Sequence, residues 1–189
     1  MSRLNELLQQ AGNIGRNEDG SITRLGFSEK YFQVLEFLKG RMQELGMQVE
    51  TDPVGNLHGV LQGSDPEAKA IVLGSHMDTV MQGGVYDGML GVTGAKYSTP
   101  CDPRLIKLID DVCTEKGISH IIMPIGAGHD ANTMAHEGVP IGMIFVPSAK
   151  GISHQGDEYT KPEHIDLRAD VLYQTVLKLD ENGHDRMDD

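Results

Sequence analysis

Tryptophan is absent from this chain and aromatic residues make up only 5% of it. Any core must therefore be aliphatic, and 39% hydrophobic content is enough to bury one. There are only two cysteines, Cys101 and Cys113, and no CxxC pair. That spacing gives no disulfide framework and reads as reduced thiols of a cytoplasmic protein. Basic residues are outnumbered, 16 Lys and Arg against 28 Asp and Glu, for a net charge of −12. An acidic chain without a Lys/Arg cluster is unsuited to gripping a phosphate backbone, which argues against nucleic-acid binding. No run of apolar residues is long enough to cross a membrane. The opening Met1-Ser2-Arg3-Leu4-Asn5-Glu6 lacks the apolar centre of a secretion signal.

What is abundant is glycine, 23 residues of 189, which suits an α/β domain with many tight turns. The length allows one domain, taken here as residues 1–180 with a frayed charged tail over 181–189. Leu4, Leu7 and Leu8 predict a short amphipathic helix over 3–10. Ser28 is placed to cap a helix over 29–45 with Phe32, Leu35, Leu38 and Met42 on one face and Gly46 as its stop. Residues 47–50 and 57–61 read as strands joined by the turn Asp52-Pro53-Val54-Gly55-Asn56. The apolar run Ala70-Ile71-Val72-Leu73 predicts a buried strand ending near Ser75. A helix follows over 103–116, built on Leu105, Ile106, Leu108, Ile109 and Val112 and stopped by Gly117. Residues 120–123 and 141–146 are further runs of buried-strand type, and 168–179 predict a closing helix. The alternation favours an α/β sandwich around a largely parallel sheet.

The most informative stretch is Gly74-Ser75-His76-Met77-Asp78-Thr79, followed by the glycine-rich Gly83-Gly84-Val85-Tyr86-Asp87-Gly88. His76 and Asp78 stand two apart at a strand end and so face the same side. One imidazole nitrogen can then bind a metal while the carboxylate holds the other ring N–H. The glycine loop lets Asp87 approach the same ion closely. His154, in Gly151-Ile152-Ser153-His154, supplies a second imidazole. The set His76, Asp87 and His154 suits zinc, manganese or cobalt rather than calcium. Glu158, four residues on, is either a carboxylate supporting His154 or a solvated loop residue. The turn Gly126-Ala127-Gly128-His129-Asp130-Ala131 can offer backbone N–H groups and His129 to a carbonyl, or simply begin a helix with Asp130 at its positive end. His58, His120, His136, His164 and His184 have no clustered partners and read as structural or surface residues. The ten methionines are scattered and read as core filler.

Taken together these residues resemble the dinuclear-metal amidohydrolases and exopeptidases that include aminoacylases. Within them the resemblance is to the allantoate amidohydrolase and N-carbamoyl-L-amino-acid hydrolase group. It is carried by Thr23-Arg24-Leu25-Gly26-Phe27-Ser28, by Asp52 to Leu57, by Gly74 to Val80 with Gly83 to Val92, and by Gly126 to Ala131. Met143 to Ser148 and Gly151 to His154 with Glu158-Tyr159-Thr160 complete it. The resemblance implies a three-layer α/β/α sandwich of the zinc-exopeptidase type. It implies that His76 ligates one metal, Asp78 orients His76 as part of the catalytic set, Asp87 bridges two metals and His154 ligates the second. Gly128 and His129 would lie beside the substrate, a small molecule with a linear amide.

The departures are as specific. The family places a Glu-Glu pair after the bridging Asp, one Glu being the general base and the next a ligand. It adds a further His ligand and a lid domain that forms the dimer. No Glu-Glu pair occurs between Asp87 and His129, and Cys101-Asp102-Pro103, which resembles the segment after the lid, follows Gly91 by ten residues. The chain therefore reads as a family catalytic domain with a large internal deletion. The expectation is a hydrolase lineage with weak or no activity, at most one bound zinc or manganese ion, and no lid-mediated homodimer. The alternative is a non-catalytic metal-binding or structural remnant of the same fold.

Overall fold

The computed structural model describes residues 2–84, 100–124 and 129–181. The chain divides into two compact units, Met1–Met89 with Ser148–Tyr159, and Leu90–Pro147 with Thr160–Asp189.

In the first unit, α1 spans Arg3–Asn13 and its Ser2 cap accepts from the Asn5 backbone N–H. The buried positions of α1 are Asn5 and Gly12, while Leu4, Leu7 and Leu8 are only half-buried. Helix α2 spans Glu29–Glu44. The Ser28 hydroxyl accepts from Tyr31 N–H at 3.2 Å, the expected cap. The fully buried residue of α2 is Val34, and Phe32, expected on the inner face, is 52% exposed. Strands β1 (Gln48–Thr51) and β2 (Leu57–Val60) form the expected antiparallel hairpin, pairing Gln48 with Val60 and Thr51 with Leu57. Asp52 closes its turn by accepting from the N–H groups of Val54 and Asn56 and from the Asn56 amide. These bonds, the Asn56 amide first, pull the Asp52 carboxyl down to about 2. The hairpin packs on α2 so closely that a methyl on Gly59 would lie 2.9 Å from both Met42 Sδ and Met47 Sδ.

The second unit holds α3 (Pro103–Glu115), α4 (Asp130–His136) and α5 (Pro162–Glu181). Asp102 caps α3 by accepting from Arg104 N–H at 2.8 Å. Pro103 takes the first helical position, where its missing N–H costs nothing. Helices α3 and α5 pack together around Val112, Cys113 and Val171, with Ile109, Ile118 and Ile144 against them. Surface ion pairs Lys178–Glu115 at 2.6 Å and Lys116–Asp170 at 2.9 Å flank the contact. Helix α5 begins six residues earlier than the pattern of 168–179 indicates, because Pro162 and Glu163 suit a first turn.

Three runs that read as buried strands form none among the described residues. Residues 70–75 are exposed and outside any regular element, with Val72 73% open to solvent. Residues 120–123 are likewise open, Ile121 being 78% exposed. Residues 141–146 lie along the helices instead. Asp102 N–H donates to Ile141 O at 2.9 Å and Arg168 Nε to Ile144 O at 3.1 Å. An apolar run specifies burial, but a strand also needs neighbours to take its N–H and C=O groups. The described sheet is only β1–β2, so the architecture is mixed helix with few strands. No helix among the described residues is long and apolar enough to cross a membrane. Both cysteines are free thiols.

Candidate metal centre

The site is built on a pairing that the sequence barely announces. Ile22 and Gly83 exchange both backbone hydrogen bonds at 2.8 Å. One step on, Thr79 N–H donates to Arg24 O at 2.9 Å and Arg24 N–H to Thr79 Oγ1 at 2.9 Å. Gln82 N–H adds a bond to Thr23 Oγ1 at 3.0 Å. Arg24 is 8% exposed, and its guanidinium donates to Met77 O at 2.6 Å, Ile14 O at 2.8 Å and Ala11 O at 3.1 Å. One cation thus ties the end of α1 to the segment carrying His76 and Asp78. In the sequence Arg24 stands out only as part of a family signature. A buried arginine that serves carbonyls leaves no periodic or paired-charge pattern by which to find it.

On this clasp His76 Nδ1 lies 3.2 Å from Asp78 Oδ1 and 3.1 Å from Asp78 O. Both partners are acceptors, so Nδ1 donates; in a neutral imidazole the lone pair then lies on Nε2. That is the tautomer a metal-ligating histidine needs, held by the carboxylate two residues on. The Nε2 of His76 and the Nδ1 of His154 are both shielded from solvent.

His154 sits in the same unit, in a loop closed by Ala149 N–H donating to Tyr159 O at 2.8 Å. Within the loop the Ser148 hydroxyl donates to Ile152 O, and Lys150, Gly151 and His154 all have positive φ, His154 at 60°. The loop seats on the clasp. A methyl on Gly156 would lie 3.1 Å from Ser21 Cβ, and one on Gly84 would lie 2.7 Å from Glu158 Cβ and 3.0 Å from Gln155 O. Glycine at 84 is therefore required by close approach. Gly84 and the His154 loop meet at Gln155 O and the Glu158 stem.

Asp87 and Gly128 lie outside the described residues. No group of three or more His, Cys, Asp or Glu side chains placed to hold a metal occurs among the described ones. The chemistry of the described donors suits a divalent ion: His76 Nε2 and His154 Nδ1 are shielded imidazole nitrogens, and the Asp78 carboxylate lies 3.2 Å from His76 Nδ1. His129 belongs to the second unit, where it precedes α4 without a side-chain capping bond and its ring lies 5.4 Å from that of Phe145. Asp130 opens that helix, as one of the two sequence readings holds. His120 contacts Ile118 O and Asp110, and His58 lies 3.4 Å from Asp52, both as structural residues.

Comparison with known proteins gives this geometry its context. Residues 90–178 match the model of peptidase family M20/M25/M40. The chain is 38% identical over 90 residues to an N-carbamoyl-L-amino acid amidohydrolase of Geobacillus stearothermophilus, 48% of this chain and 22% of that protein. It is 35% identical over 92 residues to an allantoate amidohydrolase of Bacillus subtilis, 49% of this chain and 22% of that protein. An allantoate deiminase of Arabidopsis thaliana is 28% identical over 185 residues, 93% of this chain and 34% of that protein. The matches thus span between 22% and 34% of these relatives' lengths. The chain is thus similar over residues 90–178 to peptidase family M20/M25/M40, and over about half its length to amidohydrolases named for allantoate and N-carbamoyl amino acids.

Proposed function

We propose that this chain descends from metal-dependent amidohydrolases that cut linear amides such as allantoate or an N-carbamoyl-L-amino acid, and that it keeps part of their site. The observation that carries the reading is the His76–Asp78 pair, with Nδ1 held 3.2 Å from the carboxylate, the arrangement of a metal-ligating imidazole. His76, Asp87 and His154 are the proposed ligands of zinc or manganese, and Asp78 orients His76. Gly128 and His129 are proposed to flank the substrate. When bound, such an ion polarises the amide carbonyl and acidifies a water. A positioned base must take that water's proton, and this chain has no Glu-Glu pair between Asp87 and His129 to do so. Loss of a general base costs about 10²–10⁴ in rate.

The proposed parent fold is the α/β/α sandwich of zinc exopeptidases, without a lid and so without a lid-mediated dimer. The apolar runs at 70–73, 121–123 and 141–146 support it as sheet strands of that parent. The proposed partner is a small linear amide in the cytoplasm, with neither nucleic acid nor membrane. A second reading, a non-catalytic remnant, is favoured by the solvent exposure of Val72 and Ile121. Ammonia release from allantoate and N-carbamoyl amino acids, with zinc or manganese added, tests the first against the second. The expected turnover lies far below the usual range of about 1–10³ s⁻¹. Turnover within that range, lost in Asp87→Ala, would show that another residue has replaced the base. No metal binding at all would leave the remnant reading alone standing.

A further inference from the structure

Glu158 has no role among the residues assigned so far. Its Oε2 accepts from the backbone N–H of His154 at 3.0 Å. Its own N–H donates to Gln155 O at 3.0 Å, so the stretch between the two turns back on itself. His154 is held at φ 60°. That is a left-handed backbone, which a non-glycine residue adopts at some cost. A carboxylate accepting a backbone N–H makes a charge-assisted bond, stronger than a neutral one. The Glu158 stem is pinned in turn, because Gly84 approaches within the space a methyl would need. Three features therefore coincide: an unfavourable backbone at a proposed ligand, a carboxylate bonded to that residue, and a glycine that makes room for this carboxylate's stem.

We infer that Glu158 is the positioning residue of His154: its carboxylate holds the His154 backbone in the left-handed conformation and so aims the imidazole at the metal position. Glu158 acts through His154 and touches neither metal nor substrate. The inference rests on His154 being a ligand. Gly84, three residues before Asp87 in the sequence, sets where the Glu158 stem stands.

The test uses the full 189-residue chain, with zinc affinity read by competition against a chromophoric chelator. Glu158→Ala is expected to weaken zinc binding about 10–100-fold, the usual cost of losing a group that orients a ligand. Glu158→Gln keeps an acceptor of the same reach and is expected to retain most of the affinity. Glu158→Asp withdraws the oxygen by one methylene and is expected to weaken binding in the same direction as alanine, which keeps the test readable should alanine not fold. In metal-free protein the His154 amide is expected to exchange with solvent faster in the alanine variant than in the parent. Zinc binding unchanged in Glu158→Ala overturns the inference while leaving the metal reading intact, as does equal loss in the alanine and glutamine variants. A parent chain that binds no zinc, or a His154→Ala variant that binds as the parent does, overturns the metal reading and this inference with it.

Discussion

Among the described residues, the side chains withdrawn from water in the first unit are Ile22 and Val34 together with Asn5, Ser21, Arg24 and Thr79. In the second they are mostly Val112, Cys113, Ile141, Ile165 and Val171. The second is thus an ordinary helix pair closed by methyl groups, where area removed from water supplies the driving force. The first is closed around the candidate site by directional bonds, each of which fixes a position as well as adding stability. Directional bonds are what a ligand set requires, because an imidazole must be aimed as well as buried. Among the described residues the unit that carries the candidate site holds four of the six buried polar side chains, and the second unit holds Thr160 and Thr175.

The sharpest way to break this contrast is Arg24→Ala. The change strips donors from the Met77, Ile14 and Ala11 carbonyls. It should cost about 3–5 kcal/mol. Urea unfolding followed by amide exchange should show early opening at Ile22, Thr79 and Gly83 while α3 and α5 stay protected. Uniform loss across both units would contradict the division. The converse change is Val112→Ala, which removes two methyl groups from the α3–α5 core and leaves a cavity. It should cost about 2 kcal/mol and open α3 and α5 first.

How much of this is legible in the sequence follows the same division. Helix ends are readable because Ser28, Asp102 and Gly117 are local signals that answer to local physics. The hairpin is readable for the same reason, through Asp52 and Gly55. The runs at 70–75, 120–123 and 141–146 mislead because apolar composition is local while strand pairing is not. His76 with Asp78 is readable because a two-residue spacing fixes geometry. Arg24 is not readable as a clasp, since its carbonyl partners lie 10, 13 and 53 residues away. Glu158 reads from its spacing slightly more as a solvated loop residue than as a support for His154, because i+4 spacing outside a helix fixes nothing. Its carboxylate accepts from the His154 N–H at 3.0 Å, a contact that the spacing alone does not announce.

A milder probe of the clasp is Thr79→Val, which keeps shape but removes the acceptor for Arg24 N–H and the donor to Val80 O. It should cost about 1–2 kcal/mol, read by urea midpoint at constant slope. The smallest expected effect concerns His120. The Ile118 carbonyl at Nδ1 and the Asp110 carboxylate at Nε2 both accept from the imidazolium and raise its pKa above the ordinary value. A raised folded pKa contributes stability that is fully present below the unfolded value of about 6.5 and is lost as pH rises through the folded value. Thermal melts across this range should fall slightly with rising pH in the parent, and His120→Asn should flatten that slope. An unchanged slope in the variant would show that the fall comes from other groups.

The central claim is that His76 and His154, aimed by Asp78 and Glu158, serve one metal-binding region. X-ray absorption on the zinc-loaded chain tests it most directly, because imidazole rings give a distinctive outer-shell pattern. The expected result is two imidazoles with zinc–nitrogen distances of about 2.0–2.1 Å, falling to one in His76→Ala and to one in His154→Ala. Zinc bound with no imidazole in its shell, or a shell unchanged by both substitutions, would contradict the account.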